Sequence, residues 1–278
     1  MDAALTFDGL TLGYGRRTVI DGLSVSLPRG RFTALIGPNG CGKSTILKAL
    51  TRVLPVAAGR VSVEGTRLQD LSARDLARRI SMLPQSLAAP DGVTVRQLAS
   101  YGRSPHSNIW GALRGGDRDI VEAALRRLGV AELGGQPVAA LSGGQQQRAW
   151  LAMVLAQRTP IVLLDEPTTY LDIAHQVEVL ELCRELAAEG RTVVAVLHDL
   201  NQAFRYADHV VVLREGGLVA SGAPAAVADS ATLRRAFDID ARILADPEAG
   251  TPMMVIRETA ERAGRSVSAP LPCLVTGR

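Results

Sequence analysis

A glycine-rich loop that directly follows an apolar stretch is the feature that most constrains this chain. The stretch Phe32–Ile36 predicts a buried strand, and the residues after it fit the pattern Gly-x4-Gly-Lys-Ser/Thr. In such a loop, backbone N–H groups surround phosphate at the N-terminus of a helix. Lys43 is expected to reach the outer phosphates, and Ser44 to bind Mg²⁺. The predicted phosphate-binding residues are Gly37, Pro38, Asn39, Gly40, Cys41, Gly42, Lys43, Ser44 and Thr45.

Composition separates this loop from an ordinary tight turn, for which glycine is also the default residue. The chain has 31 basic residues, of which two are lysines and 29 are arginines, and one of the two lysines is Lys43. Guanidinium is a planar fork, whereas ammonium is a compact point charge that fits inside a closed backbone loop. A lysine at this position therefore favours phosphate binding.

A second segment, Leu141–Gln145, opens a predicted helix over Ser142–Arg158. Ser142 is a candidate N-cap, and Gln145 stands three residues later, where a capping box needs it. The same serine hydroxyl and glycine amides would also suit an anion at the helix N-terminus. Both interpretations can hold. However, the chain has only one glycine-lysine loop, so a second phosphate-binding site is not explained within a single copy.

A third segment is the apolar run Ile161–Leu164, which predicts a buried strand and is followed by Asp165 and Glu166. A carboxylate at the end of such a strand suits Mg²⁺ and its waters. The alternative is a polar strand end without a function. A catalytic or Mg²⁺-binding role for these two acids is favoured only when the other two segments are considered with them.

These three segments, in this order, resemble those of ATP-binding cassette (ABC) ATPases. The resemblance extends over roughly residues 5–237. The resemblance implies the α/β class, with a P-loop NTPase core of mostly parallel sheet, an antiparallel β subdomain and an inserted helical subdomain at about 87–158. It also implies a head-to-tail homodimer, in which Leu141–Gln145 of one copy covers the ATP held by the glycine loop of the other. We therefore expect an ATPase domain over residues 1–237.

The resemblance assigns roles to individual residues. Lys43, Glu166 and His198 are the expected catalytic residues, with Glu166 as the general base and His198 in contact with the γ-phosphate. Ser44, Gln85 and Asp165 are the expected Mg²⁺ ligands. The other expected ATP contacts are Tyr14 against the adenine, Ser142, Gly143, Gly144 and Gln145 from the second copy, and Asp172 in the loop that crosses the dimer interface.

Three further stretches narrow the resemblance to one group of ABC ATPases; they lie at 167–176, 196–203 and 205–208. They resemble the ATPases of ferric siderophore, ferric dicitrate, haem and cobalamin importers, and the ferric-chelate branch, especially ferric dicitrate, is the most similar. This implies permease and substrate-binding partners and a peripheral place on the cytoplasmic face of the cell membrane. Haem and cobalamin stay open as cargo, and iron ligation by His175 is not expected.

Other classes fit less well. A chromosome-maintenance ATPase would carry a long coiled-coil insertion, but Gln85 and Leu141 lie only 56 positions apart. A ribosome-type cassette would carry two motif sets in tandem. Neither lysine lies in the Asn-Lys-x-Asp pattern of a GTPase, and a kinase does not explain Leu141–Gln145.

Composition fits a cytoplasmic protein that does not bind nucleic acid. The net charge is +3, and many arginines stand beside acids, as in the run from Asp117 to Asp119, which predicts solvated faces. No apolar run reaches the roughly 18 residues of a membrane span, and the N-terminus lacks a basic signal-peptide head. The three cysteines show no metal or disulfide spacing. Cys41 lies near a predicted helix N-terminus, so we expect a lowered pKa and reactivity towards maleimide.

Periodicity predicts the remaining organisation. We expect a strand within 246–257 in a C-terminal extension over 238–258, and a mobile tail over 259–278. The other predicted strands are Leu5–Tyr14, Leu23–Leu27, Ile80–Leu83, Thr192–Leu197 and Val210–Leu213.

Overall fold

The structure is a computed structural model that describes residues 2–107, 115–169 and 171–259. Tyr170, part of the helical block and residues 260–278 of the predicted tail lie outside these ranges. The strands are β1 (Ala3–Tyr14), β2 (Arg17–Pro28), β3 (Phe32–Ile36), β4 (Ala58–Val63), β5 (Thr66–Arg67), β6 (Ile80–Leu83), β7 (Ile161–Leu164), β8 (Thr192–Val196), β9 (His209–Arg214), β10 (Gly217–Gly222), β11 (Ile239–Ala245) and β12 (Pro252–Thr259). The α-helices are α1 (Lys43–Leu50), α2 (Ala73–Arg79), α3 (Val95–Tyr101), α4 (Asp117–Arg127), α5 (Gly143–Ala156), α6 (Ile173–Ala188), α7 (Leu200–Tyr206), α8 (Pro224–Val227) and α9 (Ser230–Phe237).

The central sheet has the strand order β10-β9-β3-β8-β7-β6. Every neighbouring pair is parallel except β9 and β10. The predicted mostly parallel sheet is therefore confirmed. Because parallel strands run in the same direction, the segments that follow β3, β6, β7 and β8 all leave the sheet at one edge, which is where open α/β sheets bind ligands.

Hydrophobic clusters cover both faces of this sheet, since successive side chains of a strand point to opposite faces. In β3, Phe32, Ala34 and Ile36 face a cluster built with α3 to α7, whereas Leu35 faces a cluster built with α1, β1, β2 and β4. Burial on both faces explains why β3, β7 and β8 are buried at every position and do not alternate between apolar and polar residues.

An antiparallel sheet with the order β2-β1-β4-β5 lies on the α1 side. The predicted antiparallel start, Leu5–Tyr14 with Leu23–Leu27, is confirmed as β1 and β2. Strands β4 and β5 were not predicted, because neither is a sustained alternating run.

The segment between β6 and β7 is mostly helical, as predicted, with α3 and α4 both packed on α5. Residues Ser104–His106 form a short 3-10 turn after α3, and Gly116 precedes α4 with a left-handed backbone. One prediction here is wrong: Asp117 is not solvated. It is 4% exposed and accepts a hydrogen bond from Arg103 Nε at 2.8 Å, because the start of α4 packs against the turn that follows α3.

The C-terminal part of the described chain is an antiparallel hairpin of β11 and β12. The strand predicted within 246–257 is confirmed as β12, while its partner β11 was not predicted. The hairpin packs on α7 and α9. Within the three described ranges, no helix has the length and apolar character that crossing a bilayer requires.

Candidate nucleotide-binding site

The predicted site residues leave the sheet from four neighbouring strands. The glycine loop follows β3, Gln85 follows β6, Asp165 and Glu166 follow β7, and His198 follows β8. Their register places Leu83 opposite Leu164, and Leu164 opposite Ala195. Segments far apart in the sequence therefore meet at one edge.

The glycine loop closes around the ammonium of Lys43. Lys43 is buried, and its Nζ donates hydrogen bonds to the carbonyl oxygens of Gly37 at 2.7 Å and Pro38 at 3.0 Å. Gly42 has φ 104° and precedes α1, and a Cβ there would lie 2.3 Å from Cδ1 of Ile20. Glycine is therefore required for the loop to fit over the neighbouring strand, and the loop holds a positive charge at the N-terminus of a helix, as phosphate binding needs.

Ser44, at the start of α1, and Asp165, at the end of β7, lie side by side and offer oxygen atoms that could bind a metal ion. The Ser44 hydroxyl donates to Asp165 Oδ1 at 2.7 Å, and Asp165 is 3% exposed. Burial raises the pKa of Asp165 and outweighs the opposing hydrogen bond from Ser44, while the nearby charge of Glu166 raises it further. A hydroxyl and a buried carboxylate are ligands that suit Mg²⁺, so these two residues fit the predicted metal role.

Glu166 has a conformation that residues with a side chain rarely adopt, with φ 54°. Its carboxylate lies 2.8 Å from His198 Nε2 and accepts a hydrogen bond from Thr169 Oγ1 at 3.3 Å. Burial alone would raise the pKa of Glu166, but the contacts from His198, Gln85 and Thr169 together hold it below its ordinary value. Glu166 is thus an ionised carboxylate fixed by three side chains, which suits a group that orients and deprotonates water.

Thr169 was not among the predicted site residues, although its hydroxyl contacts Glu166. Its position three residues after Glu166 is the signal that could have found it, since a turn of that length lets the threonine hydroxyl reach back. The backbone N–H of Thr169 also donates to the carbonyl oxygen of Glu166 at 3.2 Å.

The predicted capping box at the second segment is confirmed. The Gln145 N–H donates to Ser142 Oγ at 3.3 Å, and the Ser142 N–H donates to Gln145 Oε1 at 3.0 Å. Ser142 and Gly143 are exposed, so the N-terminus of α5 opens to solvent. Gly143, Gln85 and Glu166 line one cleft of about 290 Å³.

Tyr14 and Asp172 both lie at exposed turns. Tyr14 ends β1 and is 47% exposed. Asp172 caps α6 and lies 2.7 Å from Nδ1 of His175, whose backbone N–H and side chain lower the pKa of Asp172. Ile173, the next residue, is 80% exposed.

The prediction of a lowered Cys41 pKa is wrong. Cys41 is 3% exposed, and burial raises the pKa of its thiol despite the neighbouring charge of Lys43. The side chain points into the core cluster beneath α1. Desolvation therefore exceeds the effect of the positive charge and the helix N-terminus.

Comparison with known proteins agrees with this geometry. The family model described as ABC transporter matches residues 20–169, from β2 to the turn after Glu166. This chain belongs to the ABC transporter family. The ABC chain is 49% identical over 254 residues to the ferric enterobactin transport ATP-binding protein of Escherichia coli, covering 91% of this chain and 94% of that protein.

Two further comparisons extend over nearly the whole ABC chain. It is 46% identical over 251 residues to the iron(3+)-hydroxamate import ATP-binding protein of Bacillus subtilis, covering 90% and 93% of the two chains. A solved structure of an ABC transporter in an inward-facing conformation superposes with a TM-score of 0.79 at 28% identity, covering 92% of this chain and 98% of the other. Like these ATP-binding subunits, the chain is an ATPase.

Proposed function

We propose that this ABC ATPase powers the uptake of a ferric siderophore through a membrane importer. The observation that carries the proposal is its identity of 49% and 46%, over about nine tenths of the chain, to ATP-binding proteins for ferric enterobactin and iron(3+)-hydroxamate. The sequence identity to a hemin import ATP-binding protein of Streptomyces coelicolor is 43%, and that to a cobalamin import ATP-binding protein of Halobacterium salinarum is 40%. Ferric dicitrate stays a prediction of the sequence.

The contacts at the sheet edge support a mechanism for hydrolysis. Lys43 and the loop N–H groups bind the phosphates of ATP, and Ser44, Asp165 and Gln85 would hold Mg²⁺, which neutralises phosphate charge. Glu166 orients a water molecule and accepts its proton as the water oxygen bonds to the γ-phosphorus. The bond from that phosphorus to the bridging oxygen of ADP then breaks. His198 fixes the Glu166 carboxylate and would contact the γ-phosphate.

A second copy of the chain would complete each ATP site. Ser142 and Gly143 offer an exposed, capped helix N-terminus that suits the γ-phosphate held by another chain. Ile173 is 80% exposed beside Asp172, as expected of a turn that meets a partner. Hydrolysis would then release the two copies from each other.

Permease subunits would couple this closure and release to transport, and a substrate-binding protein would deliver the chelate to them. The ATPase itself would lie on the cytoplasmic face of the membrane and would not contact nucleic acid. The transport functions of its relatives support this assignment.

Uptake in cells tests the cargo. Cells carry the native chain, Glu166→Gln or Glu181→Gln as their only copy, and uptake of radiolabelled ferric citrate, hydroxamate and catecholate siderophores, haem and cobalamin is measured. Glu181 is an exposed residue of α6, so Glu181→Gln controls for the change of charge. We expect cells with Glu166→Gln to lose uptake of one ferric siderophore, and cells with Glu181→Gln to keep it. Unchanged uptake of every compound would contradict the proposal.

Light scattering of the purified chain tests the dimer. Glu166→Gln should form a stable dimer in excess ATP because hydrolysis no longer separates the copies, and Lys43→Ala should lose ATP binding because the loop loses its charge. A Glu166→Gln chain that binds ATP but remains a monomer would contradict the proposed dimer.

A further inference from the structure

Helix α7 is joined to the C-terminal hairpin through an amide side chain. Asn201 donates to the carbonyl oxygen of Met254 at 3.1 Å, and the Met254 N–H donates back to Asn201 Oδ1 at 2.7 Å. The Asn201 amide thus pairs with β12 as the backbone of a neighbouring strand would. A two-point contact of this kind fixes both the distance and the orientation between helix and strand.

A second contact joins α7 to the turn of the same hairpin. Arg205 lies 3.0 Å from Asp246, which also accepts N–H hydrogen bonds from Glu248 and Ala249 within the turn. Met254 is partly buried and packs on the core beside α7. The hairpin therefore holds α7 at both ends of the helix.

On its other side, α7 reaches the turn that contains Asp172. Gln202 Nε2 donates to Gln176 Oε1 at 2.7 Å, and Gln176 Nε2 donates to the carbonyl oxygen of Leu171 at 3.1 Å. Both glutamines are half-buried. Since Gln202 follows Asn201 in the helix, one amide network runs from β12 through α7 to Leu171. We define the amide network as Leu171, Gln176, Gln202, Asn201 and Met254.

The same helix begins beside the catalytic histidine. Asp199 caps α7 by accepting the Gln202 N–H at 3.0 Å, and His198 immediately precedes it, with Nε2 at 2.8 Å from Glu166. A displacement of α7 would consequently move His198 and the turn at Leu171 together. In the proposed mechanism, His198 contacts the γ-phosphate and the turn at Leu171 contacts the second copy of the chain.

We propose that Asn201, Gln202 and Gln176 are positioning residues, through which the C-terminal hairpin sets the geometry of His198 and of the turn at Leu171 for ATP hydrolysis. The inference rests on the proposed function, because it assumes that His198 and this turn act on ATP. It predicts a larger effect on turnover than on ATP binding, since Lys43 and the glycine loop, which hold most of the phosphate contacts, are not in the amide network.

The test measures kcat, KM and ATP binding for full-length chains with Gln202→Met, Gln176→Met, both changes together, or Asn201→Leu. Each loses amide hydrogen bonds with little change in side-chain volume. Ser230→Ala is the matched control, because Ser230 Oγ donates to the Ala241 carbonyl oxygen at 2.7 Å and so anchors the hairpin outside the network.

We expect each network variant to lower kcat about fivefold, the rate factor that corresponds to one net hydrogen bond. KM and the ATP dissociation constant should change less than about twofold, and Ser230→Ala should keep the native kcat. The double glutamine variant should be no slower than either single variant, because both changes interrupt one network.

A native kcat in the glutamine variants, additive losses in the double variant, or an equal loss in Ser230→Ala would each overturn the inference. Gln202→Glu provides a second route should Gln202→Met not fold, because it keeps the shape but cannot donate to Gln176. Glu166→Gln is assayed in parallel. Native hydrolysis in that variant would contradict the catalytic assignment separately from the amide network.

Discussion

The buried ion pair of Arg103 and Asp117 predicts a large and specific loss of stability when one partner is removed. Arg103 follows α3, and Asp117 is the first residue of α4. Their side chains are 7% and 5% exposed and lie 2.8 Å apart. Arg103 also donates to the carbonyl oxygen of Ala156 at 2.8 Å, at the end of α5. The perturbation is Asp117→Ala, which leaves a buried guanidinium without its carboxylate and loosens three helices at once.

The expected loss is about 3–5 kcal/mol of unfolding free energy, the usual result of removing one partner from a buried pair. In a chain of this size, that lowers Tm on the order of 10 °C. Urea unfolding followed by circular dichroism measures the loss, and Asp119→Ala is the control, since Asp119 is exposed on the same helix. Arg103→Leu with Asp117→Leu should lose less than Asp117→Ala, because no charge is left unpaired. A difference below about 0.5 kcal/mol between Asp117→Ala and Asp119→Ala would refute the reasoning.

Close packing at Gly102, burial of Cys41 and the hydrogen bonds of Asp246 each lead to a further prediction. Gly102→Ala should lower Tm, because a Cβ there would lie 2.2 Å from the Met153 carbonyl oxygen of α5; an unchanged thermal scan would contradict this contact. Cys41 should resist maleimide in the native chain and react in guanidinium chloride, because its thiol is buried and its pKa is raised. Peptide mass mapping would locate the label, and rapid labelling of Cys41 in the native chain would contradict this prediction. Hydrogen bonds from Glu248 and Ala249 lower the pKa of Asp246 in the folded chain, so its contribution to stability is present above the unfolded pKa and is lost as the pH falls from about 5 towards 3. Urea titrations over that range should show a smaller loss for Asp246→Asn than for the native chain, and equal losses would contradict it.

Local features were predictable because the groups involved are a few residues apart. The Ser142 and Gln145 capping box joins residues three apart, and Asp199 caps α7 over the same spacing. The strands β3, β6 and β7 have the bounds that their apolar runs predicted. Strands β4, β5, β10 and β11 were not predicted because their burial depends on neighbouring elements, not on an alternating pattern of their own.

The sequence by itself determined which chemical groups are available: one lysine loop, an acidic pair after a buried strand, and a second helix N-terminus. The strand order alone brought Ser44 within 2.7 Å of Asp165, across 121 residues, and His198 within 2.8 Å of Glu166. Burial in three dimensions also reversed two predictions, the reactivity of Cys41 and the solvation of Asp117. Local patterns fix caps, turns and strands, whereas the desolvation of a side chain and its long-range partners depend on which elements the folded sheet places beside it.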